Sequence, residues 1–125
     1  MPFKINTATN PDRIEVTYSG VVSDEEFRRA IAEFIEFNSR KKCLLVLTDL
    51  REMTVTPSIL NVYDSINMFE KMGIDNRTSE ALILPENKFI EKNIKFYENA
   101  CLNRGYNVRI FYNREDAIAW LKMHE

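Results

Sequence analysis

The chain has 125 residues, of which 45% are hydrophobic and 29% charged, and it carries a net charge of −2 with a pI near 5.5. This length and balance predict one globular domain over residues 1–125 and argue against disorder. The acidic pI excludes the broad basic surface of a general nucleic-acid binder. The N-terminal sequence lacks the apolar segment of a secretory signal, and no stretch approaches the roughly 20 apolar residues of a membrane span. We therefore expect a cytoplasmic protein.

Two segments near the N-terminus alternate at a period of two, residues 3–8 and 13–19, and the turn sequence Asn10-Pro11-Asp12 separates them. This pattern predicts an antiparallel hairpin. Ser23 and Glu26 then have the spacing of a capping box, which predicts the start of a helix. Apolar residues follow at helical spacing and predict its buried face, at Phe27, Ile31, Phe34 and Ile35.

Strands and helices alternate over the rest of the chain. Short apolar runs predict three further strands, over residues 43–47, 80–84 and 108–112. Apolar residues at helical spacing predict a helix that stops at Gly73, a second that closes at Gly105, and a short one over 114–122 capped by Asn113. The order β-β-α-β-α-β-α-β-α indicates an α/β fold with a mixed sheet of about five strands. Its N-terminal hairpin is antiparallel and its remaining strands are parallel.

Cysteine and histidine are scarce in this sequence. Cys43 opens an apolar run and Cys101 lies on the apolar face of a predicted helix, so we interpret both as small buried side chains rather than as a disulfide. The single histidine, His124, is next to the C-terminus. We therefore expect no metal site, no cofactor and no histidine-based catalysis.

Three C-terminal segments carry a family pattern: Phe-Tyr-Glu-Asn-Ala at 96–100, Asn-Arg-Gly-Tyr-Asn-Val-Arg-Ile-Phe at 103–111, and Glu-Asp-Ala-Ile-Ala-Trp-Leu at 115–121. The run 44–47 leading into Thr48-Asp49-Leu50 is similar to that family's central strand and the loop after it. Together with the element order, these segments resemble the STAS domain (sulfate transporter and anti-sigma-factor antagonist), in its SpoIIAA-like (stage II sporulation AA-like) branch of small bacterial proteins. The resemblance implies a non-enzymatic regulator or a small-ligand binder.

The resemblance also directs attention to the start of the second helix. In the family's signalling members, a serine or threonine there is phosphorylated by a partner kinase, within a motif of Asp-Ser followed by Ser or Thr and then Gly. The corresponding stretch of this chain reads Thr54-Val55-Thr56-Pro57-Ser58, without the Asp-Ser pair and without the glycine. No residue can therefore be carried over as the phosphorylation site.

The polar segment 48–58 is predicted to be a loop at the carboxyl end of a central strand, where ligands bind in open α/β sheets. We predict Thr56 as the N-cap of the following helix, with Pro57 at its first position. In one interpretation the loop is purely structural, with hydroxyls capping the helix and Arg51 paired with an acid. In the other, the loop and the helix amides hold a phosphate or carboxylate, or the loop accepts a phosphoryl group. The candidate residues are Asp49, Arg51, Thr54, Thr56 and Ser58.

The second and third helices have broader apolar faces than one contact with a sheet requires. Five residues widen these faces: Tyr63, Met68, Met72, Phe89 and Phe96. Either they pack deeper into the core, or they form a protein–protein surface or a homodimer seam. Lys92 and Lys95 lie between the aromatic residues of the third helix, but the acidic pI argues against nucleic-acid stacking there.

No set of residues points to an enzyme. The serines lack a histidine base, the carboxylate pairs occupy helix starts, and the three glycines are too far apart for a phosphate-binding loop. Two hypotheses remain. The first is a regulatory protein-interaction module of STAS type, with a protein partner or a second copy of the chain. The alternative is a binder of a small anionic or apolar metabolite, which predicts a pocket of about 300 Å³ or more beside Arg51 and Thr56.

Overall fold

The structure is a computed structural model that describes residues 2–125. The strands are β1 (Phe3–Ala8), β2 (Arg13–Val21), β3 (Leu45–Val55), β4 (Ser79–Ile83) and β5 (Asn107–Phe111). The helices are α1 (Asp24–Lys41), α2 (Ile59–Lys71), α3 (Lys88–Asn103) and α4 (Arg114–Lys122). The strands form one sheet in the order β1-β2-β3-β4-β5, in which β1 is antiparallel to β2 and the other neighbours are parallel. This architecture confirms the predicted mixed α/β fold.

The consecutive strand order decides on which side of the sheet each helix lies. Parallel crossovers are right-handed, and each one here advances to the next strand in the same direction. As a result α1, α2 and α3 all cover one face, where their apolar stripes and the strands form the main core. Helix α4 follows the last strand and covers the opposite face of β3, β4 and β5, where it builds a smaller second core.

Helix ends follow the local sequence signals. The Glu26 N–H donates to Ser23 Oγ at 3.1 Å and the Ser23 N–H donates to Glu26 Oε1 at 3.4 Å, so the predicted capping box is present. Gly73 and Gly105 have φ angles of +78° and +87°, in the left-handed region that only glycine adopts easily, and they follow α2 and α3. The predictions for these helix ends are confirmed.

Strand β3 is longer than predicted, because residues 48–55 continue the strand instead of forming a loop. Its last residues pair with the end of β2 across two irregularities in register, with Val21 opposite Val55. The Val22 N–H donates to the Val55 carbonyl at 3.1 Å and closes this pairing. Polar residues alternate here because one face of the strand lies open, a pattern that local polarity does not distinguish from a loop.

Helix α2 begins after Ser58, so the prediction of Thr56 as the N-cap was wrong. Ser58 Oγ accepts the Asn61 N–H at 3.3 Å, whereas the Thr56 hydroxyl donates to the Pro57 carbonyl at 3.3 Å. The Ser58 N–H also donates to Asp24 Oδ1 at 2.8 Å, and this bond is the largest cause that holds the pKa of Asp24 below its ordinary value. Because β3 runs to residue 55, the connection to α2 needs the next three residues.

Both cysteines are free thiols. Cys101 is buried, as predicted, but Cys43 is only half-buried because it lies in the connection between α1 and β3. Within residues 2–125, no helix combines the length and the hydropathy needed to cross a bilayer.

Candidate functional site

A cavity of about 90 Å³, partly open to solvent, lies between the sheet and the three helices α1, α2 and α3. Its walls are mainly apolar and come from all of these elements. Representative wall residues are Val46 and Leu82 from the strands, and Phe34, Val62 and Ile94 from the helices. The cavity exists because the three crossover helices share one face of the sheet, so their side chains must together fill a wide space.

One carboxyl group lies in this apolar cavity. Glu80 is on β4, where its Oε1 accepts the Tyr97 hydroxyl at 2.6 Å and its Oε2 accepts the Thr48 hydroxyl at 2.6 Å. Burial raises the pKa of Glu80, although the two hydroxyl donors act in the opposite direction. A carboxylate oxygen has two acceptor sites, so each oxygen keeps one that a bound molecule could use.

Further polar groups line the same cavity. Thr78 Oγ1 is buried and has no hydrogen-bond partner. Burial first, and then the negative charge of Glu80, raise the pKa of the Tyr18 hydroxyl and of the Cys101 thiol, so both groups keep their protons at neutral pH. The described residues contain no group of three or more His, Cys, Asp or Glu side chains placed to share a metal ion.

The candidates Asp49 and Arg51 lie on the opposite face of the sheet. Leu45 and Leu47 pack in the second core with α4, and the alternation of β3 places Asp49 and Arg51 on the same side. Arg51 Nη2 donates to Asp49 Oδ2 at 2.7 Å. Burial alone would raise the pKa of Asp49, but the hydrogen bonds from Arg51 hold it below its ordinary value. The two side chains therefore satisfy each other.

The remaining candidates of the 48–58 segment do not converge on one point. Thr54 is exposed, Thr56 lines the cavity, and the Ser58 hydroxyl donates to Asp24 Oδ2 at 3.1 Å. Arg51 is not among the residues that line the cavity, so it is separated from Thr56. The sheet topology explains this separation. Ligand crevices form at strand ends where neighbouring crossovers go to opposite faces, and here all three crossovers go to one face.

The helix residues that widen the apolar faces are mostly exposed. Phe89 is 71% exposed, and the rings of Tyr63 and Phe96 lie 6.4 Å apart at the surface. Met68 is half-buried against the main core. Leu60, which the sequence reasoning missed, is 72% exposed one turn before Tyr63. We call Leu60, Tyr63, Phe89 and Phe96 the outer patch.

Met72 is also exposed, but it lies at the other end of α2 from the outer patch. Twelve residues of helix separate it from Leu60, which corresponds to about 18 Å along the axis. Met72 therefore belongs to a different part of the surface.

Sequence reasoning also missed Thr78, Glu80 and Tyr97 as site residues. Glu80 lies in the strand predicted over residues 80–84, and Tyr97 lies in the helix predicted to close at Gly105. The sequence did contain one signal that Glu80 faces the core. A glutamate two residues before Leu82 shares the core-facing side of that strand. A buried carboxylate there requires partners, and their identity depends on which elements pack together.

A family model described as SpoIIAA-like matches residues 13–122 of the chain. An uncharacterized protein with a SpoIIAA-like fold from Shewanella loihica PV-4 is structurally similar, with a TM-score of 0.62, 16% identity, and coverage of 95% of this chain and 91% of that one. The anti-sigma factor antagonist SpoIIAA in its unphosphorylated form has a TM-score of 0.61 and 9% identity, with coverage of 96% and 97%. At these identities the two likenesses show the fold alone. No curated protein matches the chain.

Proposed function

This chain belongs to the SpoIIAA-like family, and we propose that it is a non-enzymatic module that binds a small apolar molecule in the cavity between its sheet and helices. The observation that carries this proposal is the cavity of about 90 Å³, with apolar walls and one hydrogen-bonded carboxyl group. Its size is of the order of an engineered apolar cavity of about 150 Å³ that binds benzene or xenon. An apolar guest gains dispersion contacts with the wall atoms and removes its own apolar surface from water. The cytoplasmic location expected from the sequence is part of the proposal.

The state of the reactive groups supports binding rather than turnover. The Cys101 thiol is held in its protonated form by burial, which makes it a poor nucleophile. His124 follows α4, and its ring is tilted against that of Trp120 with centroids 4.5 Å apart, across the sheet from the cavity.

Benzene is expected to shift the methyl NMR signals of Val62, Leu82 and Ile94, which line the cavity, and to leave that of Ile118 on α4 unchanged. The Val62→Phe variant should weaken this binding about tenfold or more, a loss of at least about 1.4 kcal/mol, because the larger ring occupies the cavity. Ile118→Phe is the matched control, since it adds similar bulk on the opposite face. Unchanged cavity methyl signals in wild type, or equal binding by both variants, would contradict the proposal.

A second candidate function, regulatory protein interaction, is favoured by the outer patch. Its aromatic residues are of the kind that anchor protein interfaces, and Tyr63 and Phe96 contact each other at the surface. SpoIIAA, one of the structural neighbours, is an anti-sigma factor antagonist, and by that likeness we extend the proposal to a partner protein. The partner that we propose is a second copy of this chain, which can be tested with the purified protein alone.

Self-association through the outer patch predicts a mass above 14.7 kDa in sedimentation equilibrium that rises with protein concentration. The double variant Leu60→Ser, Phe89→Ser should return the mass to the monomer value at every concentration, because it removes two of the most exposed apolar side chains. Met72→Ser, at the far end of α2, should behave as wild type. A monomer mass for wild type throughout would remove the second copy as the partner.

A further inference from the structure

We propose that the ligand of the cavity is a small apolar amine whose ammonium group lies between the Glu80 carboxylate and the Thr78 hydroxyl. This inference rests on the proposed binding function and narrows it to one chemical class. Two independent features of the cavity wall carry it, an unbalanced charge and an unpaired hydroxyl.

The charge of the cavity is unbalanced. Among the described residues that line it, Glu80 is the only Asp, Glu, Lys, Arg or His. The hydroxyl groups of Thr48 and Tyr97 orient the carboxylate, each donating one hydrogen bond at 2.6 Å, but neither carries a positive charge. A carboxylate in apolar surroundings is costly unless it is paired, and burial of the carboxyl group raises the pKa of Glu80 in the unliganded protein, although the residue as a whole is only half-buried. A cationic ligand would supply the charge that the wall lacks.

Thr78 provides the second feature. Its Oγ1 is buried without a partner, whereas the large majority of buried side-chain polar atoms have one. Thr78 and Glu80 line the same cavity and are two residues apart along the chain. An ammonium group has three donors, so one nitrogen can bond more than one acceptor. In the proposed complex, the group that balances the charge of Glu80 also donates to the Thr78 hydroxyl.

Other ligand classes fit these two features less well. An apolar carboxylate would bring a second negative charge beside Glu80, which is unfavourable at close range. An alcohol could bond Glu80 or Thr78, but only through a neutral hydrogen bond, and charge-assisted bonds are about twice as strong. The expected order of affinity is therefore amine, then alcohol, then carboxylate.

The test uses three probes of matched size, n-butylamine, 1-butanol and butyrate, titrated at pH 7 against the cavity methyl signals of the full chain. Butylamine should bind at least about tenfold more tightly than 1-butanol, as expected for a hydrogen bond to a charged group, and butyrate should not bind. In Glu80→Gln, which keeps the shape and removes the charge, butylamine and 1-butanol should bind within about threefold of each other. In Thr78→Val, butylamine should bind several-fold more weakly than to wild type.

The outcomes separate this inference from the proposed function. If benzene and 1-butanol bind but butylamine binds no more tightly than 1-butanol, the amine is ruled out and the binding function stands. If neither benzene nor any of the three probes shifts the cavity signals, both fail. A preference for butylamine that persists in Glu80→Gln would overturn the assignment to Glu80. Should that variant not fold, the comparison of the three probes on wild type decides by itself.

Discussion

Replacing Glu80 by glutamine is expected to stabilise the protein relative to wild type by an amount that grows as the pH rises above 4.5, the ordinary pKa of the glutamate side chain. Burial raises the pKa of Glu80 in the folded state, so the folded chain keeps a proton that the unfolded chain has already lost. The stability that Glu80 contributes is therefore fully present below pH 4.5 and is lost as the pH rises through the folded-state pKa. Glutamine has no proton to lose, so this loss is absent in the variant.

Urea unfolding of both proteins between pH 4 and pH 8 measures this difference. Its slope can reach about 1.4 kcal/mol per pH unit, the value for one proton, between pH 4.5 and the pKa of Glu80 in the folded protein. Glu52→Gln is the matched control, because Glu52 is exposed at the end of β3 and its replacement should change stability by less than about 0.5 kcal/mol at every pH. A constant difference between Glu80→Gln and wild type would contradict the expected burial of an ionisable carboxyl in the cavity.

Replacing Trp120 by alanine is expected to lower the free energy of unfolding by about 3–5 kcal/mol, the range for truncating a buried tryptophan. Trp120 is buried on α4, where its ring packs against Phe111 with centroids 5.7 Å apart. With Ala117 and Leu121 it forms the helix side of the second core, over Leu47 and three neighbouring strand residues. Its loss leaves a void in a layer that contains few other large side chains.

Chemical unfolding monitored by far-UV circular dichroism gives this value, since it does not depend on the missing tryptophan fluorescence. Ile118→Ala is the control on the same helix. Ile118 is only half-buried, so its truncation should cost less than about 2 kcal/mol, the lower end of the range for a fully buried isoleucine. Equal stability of the two variants would mean that Trp120 does not hold α4 to the sheet.

The two faces of the sheet differ in what they carry: one holds the cavity, and the other packs against α4 in the second core. Residues of β4 alternate between them, with Ala81 and Ile83 facing the second core and Glu80 facing the cavity. Helix α4 therefore packs against the face of β4 that is opposite to the Glu80 carboxyl group. For this reason a change in stability at Trp120 and a change in ligand preference at Glu80 should be separable by experiment.

The sequence by itself determined the elements and their order. The capping box at Ser23, the glycine ends at Gly73 and Gly105 and the cap at Asn113 act over a few residues, so local pattern is sufficient to locate them. The alternation of strands and helices, with right-handed crossovers, then led to the mixed sheet. The resemblance of the C-terminal segments to the SpoIIAA-like family agrees with the family match over residues 13–122.

Only the tertiary structure decided where a ligand could bind. The continuation of β3 to Val55 depends on pairing with β2, and the placement of three helices on one face depends on strand order. Glu80, Thr48 and Tyr97 come from three separate elements, and nothing in their local sequence specifies that their oxygens meet at 2.6 Å. A site assembled from distant segments is a property of packing, and so a loop that looked functional from its polarity turned out to be strand.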